Sequence, residues 1–452
     1  MPGPRVVPVH GDEDLPPKVD VVVIGGGIVG ASTALELAEM GLAVALCEKG
    51  GIGHEQSSRN WGWVRITHRD PREIALMAEA LRIWPTLQEK TGRDLGYRQT
   101  GILFAARDEK TFAEYDRWRE HLTPFQIESR MVEGAELDAL LPGHRMKLRG
   151  AAWTPIDGRA EPQKATPAIA EAARARGTKI FTECAVRGIE TSAGRVSGVV
   201  TERGRIACDA VVLAGGAWSR LFAGNAGLDL PQLKVLSSVL RTDPIENGPI
   251  ENGQLGNGPE PAIWCEDFGV RRRQDGGYTV AAGGRNVVDI VPDSFRLGLA
   301  FLPALASDWR ALRFRLSPRF FEEASTPRRW PLDAPSPFEY RRVLDPKPAD
   351  HADGALAALK QAFPALKDAR VAQRWGGMID VTPDAIPVIS AVEQIPGFHI
   401  ATGFSGHGFG IGPGAGRLMA EIVAGRPTSA DPSDFRFSRF TDGSRVRPQT
   451  GF

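Results

Sequence analysis

The sequence predicts an α/β chain in which a Rossmann-like dinucleotide-binding domain is interleaved with an α+β domain built on an antiparallel sheet. Three observations carry that reading. Residues 19–24, VDVVVI, form a near-continuous apolar, β-branched run, and Gly25, Gly27 and Gly30 follow it at G-x-G-x-x-G spacing. A second fully apolar run, residues 210–214, ends in the small residues Gly215 and Gly216. Near the C-terminus, a glycine-rich loop at residues 403–412 feeds a second helix start.

In the first unit each residue type answers a physical need. Gly25 permits a tight turn, Gly27 lets backbone approach a pyrophosphate, and Gly30 lets the helix lie close to the strand. The helix that follows carries Ile28, Ala31, Leu35 and Ala38 on one face and ends at Gly41. Its first turn, with Ile28 and Val29, offers free N–H groups and about half a positive charge to phosphates. Residues 42–47 are a second apolar strand. Glu48 closes it 18 residues after Gly30, where a carboxylate can accept the hydroxyls of an adenosine ribose.

Composition narrows the remaining possibilities. A chain of 452 residues exceeds one simple core, and its 55 Lys plus Arg balance 55 Asp plus Glu, so no net field favours nucleic acid. The clusters at Arg271–Arg273 and Arg328–Arg329 read as solvated faces. Four cysteines (Cys47, Cys184, Cys208, Cys265) lie far apart without a C-x-x-C pair, and the eight histidines show no ligand spacing. That pattern predicts reduced thiols, a cytoplasmic protein and no metal site. No apolar run reaches the ~18 residues of a membrane helix. Residues 1–17, rich in proline and charge, read as a mobile arm rather than an export signal.

After Glu48 and Lys49 the chain turns glycine-rich, then runs EQSSRNWGWVR to residue 65. A loop leaving a nucleotide-bound strand runs along the rest of the cofactor, and Ser57, Ser58 and Gly62 suit close approach to a flat ring. Helices are expected at 70–87, with Asp70 capping and Pro71 in the first turn, and at 108–121, 129–141 and 162–176. Strands are expected at 97–106, 179–183, 186–191, 196–201, 206–214, 234–242 and 278–282. Residues 244–261 repeat E-N-G with almost no apolar content and are expected to be disordered or a mobile flap. Residues 295–323 read as mostly helical, with Phe301, Leu302, Leu305, Trp309 and Leu312 as an apolar stripe. The C-terminal helix is expected from about Pro413. The domain division that follows assigns 18–90, 155–225 and 370–430 to the nucleotide-binding domain, and 91–154 with 226–369 to the substrate domain.

One dinucleotide needs a single helix start for its pyrophosphate. A second, some 380 residues later, suggests a cofactor whose far end also develops negative charge, as a flavin does on reduction. The motifs together resemble the D-amino-acid oxidase family of FAD-dependent oxidoreductases, which includes glycine oxidase, sarcosine oxidase and D-amino-acid dehydrogenase. The resembling stretches are GGGIVGASTALELAEMGLAVALCEKG (25–50), SSRNWG (57–62), GRVSGVVTERGRIACDAVVLAGGAWS (194–219), GGMIDVTPDAIPVI and GFSGHGFGIGPGAGRLMAE. The resemblance implies FAD held by Gly25, Gly27, Gly30 and Glu48, with Val186 at the adenine. It implies a flavin lined by Ser57, Ser58, Arg59, Asn60 and Gly62, with Gly215 and Gly377 close to it. Gly406, His407, Gly408, Phe409 and Gly410 would aim a helix start at the pyrimidine end, raising the flavin potential. Two departures stand out. Ile379 and Asp380 occupy the loop where relatives often carry a carboxylate-binding arginine, and no cysteine stands where sarcosine oxidases link their flavin, so the FAD is expected to be noncovalent.

The resemblance implies oxidation of an amine or amino acid to an imine by hydride transfer to flavin N5, then hydrolysis. Arg65 could grip a carboxylate, Asp380 could orient the amine, and His407 could act as a base. Trp63, Tyr97, Trp264 and Trp375 are candidates for an aromatic pocket that keeps the amine neutral. Oxygen or another carrier reoxidises the flavin; residues 278–282 lack the lysine that oxygen-using sarcosine oxidases carry in a similar strand, which leans towards a dehydrogenase. A flavin dehydrogenase of a hydroxy acid or polyol phosphate, and a flavin subunit of a heteromeric oxidase, remain as alternatives, and the oligomeric state is open.

Overall fold

A computed structural model describes residues 3–245, 258–282, 286–308 and 312–448. At its centre lies a six-stranded sheet in the order Val388–Ala391, Phe398–Thr402, Ala210–Leu213, Val21–Ile24, Val44–Cys47, Lys179–Phe181. Every neighbouring pair is parallel except the outermost hairpin of Val388–Ala391 with Phe398–Thr402. All four residues of Val21–Ile24 are buried, as a parallel strand covered on both faces requires.

One face is covered by the helices Ile28–Glu39, Ile74–Thr91, Pro162–Ala175 and Gly408–Val423. Small residues permit that closeness. A Cβ at Gly30 would stand 2.0 Å from the Gly25 carbonyl oxygen, and one at Gly416 would stand 2.5 Å from Ser32 Cβ. Against the other face lies a three-stranded sheet of Val186–Ser192, Arg195–Thr201 and Gly204–Ala207. The apolar stretch 206–214 is therefore two strands in two sheets.

The second large sheet has ten strands, and its spine is Leu233–Thr242 paired antiparallel with Val371–Val381. Two of its pairs are parallel, Ile102–Ala106 with Ala262–Trp264 and Asn286–Ile290 with Leu312–Leu316, so the sheet is mixed. The Val371–Val381 strand carries its C-terminal end back towards the six-stranded sheet, where Ser405 N donates to the Asp380 carbonyl at 3.0 Å.

Several expectations give way to tertiary packing. Residues 295–323 contain the strand Leu312–Leu316, because Leu312, Phe314 and Leu316 alternate with Arg313 and Arg315 at strand period; Trp309 lies outside the described residues. In 129–141 the Arg130–Val132 stretch pairs with Gly150–Thr154, leaving only Gly134–Leu140 helical. The C-terminal helix starts at Gly408 rather than Pro413: close packing of its glycines against Ile28, Ser32 and Ala80 outweighs their poor helix propensity. Asp70 does cap its turn, accepting from Arg72 N at 3.1 Å.

The N-terminal segment expected to be a mobile arm lies along the body. Asp12 N donates to the Ile180 carbonyl at 2.6 Å, and Ile180 N donates to Asp12 Oδ2 at 2.8 Å, so the arm covers the sheet's edge strand. Arg271 and Arg272 are buried rather than solvated; Arg271 is held by Glu161 at 2.8 and 3.1 Å. Of the stretch expected to be disordered, residues 246–257 lie outside the described residues.

Candidate cofactor and substrate site

A cavity of about 570 Å³ opens between the six-stranded and ten-stranded sheets, walled by the loops that leave the central strands and by the spine of the second sheet. Two helix starts face it. The helix Ile28–Glu39 begins at Gly27 and the helix Gly408–Val423 begins at His407, and neither N-cap residue caps its helix with its own side chain. Two sets of backbone N–H groups with their dipoles thus converge on one space from opposite ends of the chain.

The wall at the first helix start is tied by side chains far away in sequence. Glu48 Oε2 accepts from Gly26 N at 2.7 Å and its Oε1 accepts from Gly50 N at 2.8 Å, so the carboxylate is fixed at the end of its strand. Ser57 Oγ accepts from Ile28 N at 2.8 Å. Asn60 donates to the Ser57 carbonyl at 2.9 Å and accepts from Gly62 N at 2.8 Å, folding residues 57–62 into a turn that Gly62 completes at φ 77°. Lys49 lies 2.7 Å from Glu55 and over the Trp218 ring. Arg59 is turned outward to Asp345 and donates to the Gly376 carbonyl at 2.9 Å, while Gly377 lets that strand pass its side chain.

Of the residues the sequence singles out for a cofactor, Gly25, Gly27, Ile28, Val29, Glu48, Lys49, Ser57, Arg59, Asn60, Gly62, Val186, Gly215, Gly377 and Gly406 to Gly410 all line this cavity. Gly30 and Ser58 do not. Gly30 sits beneath the Gly25 turn, and the Ser58 hydroxyl turns back to the Glu55 carbonyl.

Asp380 is buried and has no cation within ion-pair distance among the described residues. It accepts from Gln56 Nε2 at 2.7 Å, Gln232 Nε2 at 2.9 Å, Gly403 N at 2.8 Å and Thr402 Oγ1 at 3.4 Å. Burial pushes its carboxyl above the ordinary range, opposed by those donors. Its oxygens are engaged by protein groups, which makes it a hub joining four cavity-wall segments instead of a group held ready for an amine.

At the other end the wall is aromatic. Trp61 stacks on Trp264 with ring centres 5.7 Å apart, meets Trp63 edge-on at 5.0 Å, and Phe104, Tyr115 and His68 continue the surface. Two arginines enter here. Arg65 lies over Phe104 and donates to the Thr67 carbonyl, with no carboxylate within ion-pair distance among the described residues. Burial, then neighbouring Arg69, lowers its guanidinium to about 9. Arg69 is lowered by burial too, and Trp118 fixes its backbone by donating to the Arg69 carbonyl at 2.7 Å. Asp157, which burial raises to about 6, accepts from Ile66 N and Thr67 N at 2.6 and 3.1 Å and so holds the arginine-bearing segment by its backbone.

Two expected pocket residues stand elsewhere. Tyr97 stacks on Trp84 at 5.7 Å in the core beneath the site. Trp375 is buried behind Trp61 and donates its indole N–H to the Arg59 carbonyl at 2.9 Å. Conversely, Arg69, His68, Phe104, Tyr115, Gln56 and Lys234 line the cavity without having been singled out. The R-x-x-x-R spacing of Arg65 and Arg69 was the one visible signal. Lys234 supplies a cavity lysine from a different strand than the one inspected, and it pairs with Glu323 at 3.1 Å.

The match between this chain and known proteins extends over most of the chain: a model of FAD dependent oxidoreductases covers residues 20–422. The chain belongs to the DAO family. Among solved structures it is similar to L-amino acid deaminase from Proteus myxofaciens in complex with anthranilate, at 35% identity over 97% of each chain with a TM-score of 0.91. It is 27% identical to mitochondrial sarcosine dehydrogenase of Homo sapiens over 94% of its own length but spans only 42% of that protein. It is 24% identical to sarcosine oxidase subunit beta of Rhodobacter capsulatus, covering 95% of this chain and 90% of that one. FAD is the cofactor of the family, and the cavity fits it: a helix start at each end and a fixed carboxylate beside the first suit an elongated, doubly anionic nucleotide. Among the described residues there is no cluster of side chains that could hold a metal, and no helix long and apolar enough to cross a membrane.

Proposed function

We propose that this DAO-family chain oxidises the C–N bond of a carboxylate-bearing amine or amino acid to an imine, which water hydrolyses to a carbonyl compound. The observation that carries the reading is the aromatic wall with two arginines, the half-buried Arg65 and the buried Arg69, opening on the same cavity as both helix starts. FAD would supply the hydride acceptor. Gly25, Gly27, Ile28 and Val29 would hold its pyrophosphate, Glu48 its ribose and Val186 its adenine. Ser57, Arg59, Asn60, Gly62 and Gly377 would line the ring system, and residues 406–410 would meet its pyrimidine end. Cys47 is the one cysteine among the lining residues and lies in the nucleotide strand, which supports noncovalent binding.

The protein's own contribution is placement. Arg65, with no close carboxylate among the described residues, would take the substrate carboxylate bidentately, with Arg69 beside it. Trp61, Trp63, Trp264 and Phe104 would enclose the side chain, exclude water and favour the neutral amine over the ammonium. The four cysteines are unpaired and buried, which supports a reducing compartment and our assignment to the cytoplasm.

The test is anaerobic bleaching of the purified yellow protein with a panel of amino acids, N-methylated amino acids, plain amines and hydroxy acids. Reduction by carboxylate-bearing amines is the expected result; reduction by hydroxy acids alone would overturn the proposal. Oxygen uptake measured beside dye reduction assigns the electron acceptor. Similarity to sarcosine oxidase subunit beta along nearly its full length favours a second reading, in which the chain works as one subunit of a larger oxidase. Full turnover by the isolated chain would dismiss it.

A further inference from the structure

Beneath the substrate end of the cavity lies a carboxylate that nothing above uses. Glu73 ends the turn Pro71–Glu73 and is completely buried, yet neither of its oxygens has a hydrogen-bond donor among the described residues. Its nearest charged neighbours are His407 Nδ1 at 3.5 Å and Arg69 Nη1 at 4.0 Å. His407 Nδ1 likewise lacks a close hydrogen bond, and its ring lines the cavity at the start of the helix Gly408–Val423. An unpartnered buried carboxylate costs about 1–3 kcal/mol or more in desolvation, so such a group persists where the protein has a use for its charge.

We propose that Glu73 is a positioning residue for amine oxidation, holding His407 by Nδ1 so that its Nε2 takes the proton the substrate nitrogen must release. The inference rests on the amine-oxidising reading above. The step balances as follows: an N–H bond of the substrate ammonium breaks and its proton goes to His407 Nε2. FAD, when bound, would supply the acceptor for the hydride of the adjacent C–H bond, and the nitrogen lone pair freed by that proton loss is what the C=N bond requires. The imidazolium so formed lies against the Glu73 carboxylate, which compensates its charge.

The surrounding charges agree with a base that must be neutral before the reaction. Burial lowers the His407 imidazole, and Arg69 and Arg65, which face it from the segment after the Trp63–Val64 strand, lower it further; Glu73 alone raises it. A substrate carboxylate arriving at Arg65 would offset that positive field and make His407 a better proton acceptor only once substrate is in place.

The test uses Glu73→Gln, Glu73→Asp and His407→Gln in the FAD-loaded enzyme, with the imidazole resonances of His407 followed by NMR and assigned by their loss in His407→Gln. Loss of the Glu73 charge should move the His407 titration to lower pH and lower the flavin-reduction rate about 10-fold, with Glu73→Asp recovering part of both. In His407→Gln the acid limb of the reduction rate should vanish and the rate fall about 100-fold. An unshifted His407 titration in Glu73→Gln would overturn the pairing, and an unchanged acid limb in His407→Gln would overturn the proton transfer. If no amine reduces the wild-type flavin, the functional reading fails separately, while the titration still decides whether Glu73 governs His407.

Discussion

Gln56 donates to Asp380 at 2.7 Å across a sequence separation of 324, and the same Gln56 accepts from Ala217 N at 2.9 Å. With Gln232 and Gly403 N on the other oxygen, a single buried carboxylate joins segments far apart in sequence around the cavity. Asp380→Asn places an amide N–H against donors that now meet an oxygen. Unfolding of the variant should show a loss of about 2–4 kcal/mol, and a wild-type unfolding midpoint would refute the hub.

Glu48 orients two loops and stands where the proposed ribose binds. Glu48→Ala leaves Gly26 N and Gly50 N without their acceptor. Titration of the apoprotein with FAD, followed by quenching of flavin fluorescence, should give a dissociation constant raised about 10-fold or more. Equal affinity would remove Glu48 from the cofactor site.

Arg65 provides the sharpest substrate test. Arg65→Ala should raise KM for carboxylate-bearing amines about 10- to 100-fold, the worth of one or two charge-assisted hydrogen bonds, and change KM for plain amines by less than about 2-fold. Steady-state kinetics on matched pairs decides it; equal effects on both classes would show that Arg65 reads something else.

His68 adds a pH dependence of stability. Its backbone sits at φ 55°, and burial, then Arg65, lowers its imidazole to about 4. The unfolded chain therefore binds this proton more readily than the folded one. The contribution is present above about pH 6.5 and is lost as pH falls towards 4, a change of order 3 kcal/mol. His68→Asn tolerates the left-handed backbone and does not titrate, so its stability between pH 7 and pH 4 should fall less than the wild type's. Parallel curves from chemical denaturation would contradict this.

Much of the nucleotide half was legible because its signals are local. A strand, a glycine turn, a helix and a carboxylate at fixed spacing occupy residues 19–48, and each follows from backbone sterics and periodicity alone. The S-x-x-N-x-G loop was legible for the same reason, since Asn60 and Gly62 build their turn within three residues. Elements that depend on partners were not. The Leu312–Leu316 strand needs Asn286–Ile290 beside it, and the helix from Gly408 needs Ile28, Ser32 and Ala80 to hold its glycines.

The sequence by itself determined a dinucleotide-binding α/β domain with two glycine-lined helix starts, because those features are set by φ/ψ preference and hydrophobic period within short windows. Only the tertiary structure decided which side chains share the cavity. It sent Tyr97 and Trp375 into the core, turned Asp380 into a buried hub, and brought Arg69 and His68 to the wall, with Glu73 beneath His407. The reason is physical: burial, charge compensation and hydrogen-bond partnership depend on neighbours up to several hundred residues away, and no local pattern encodes them.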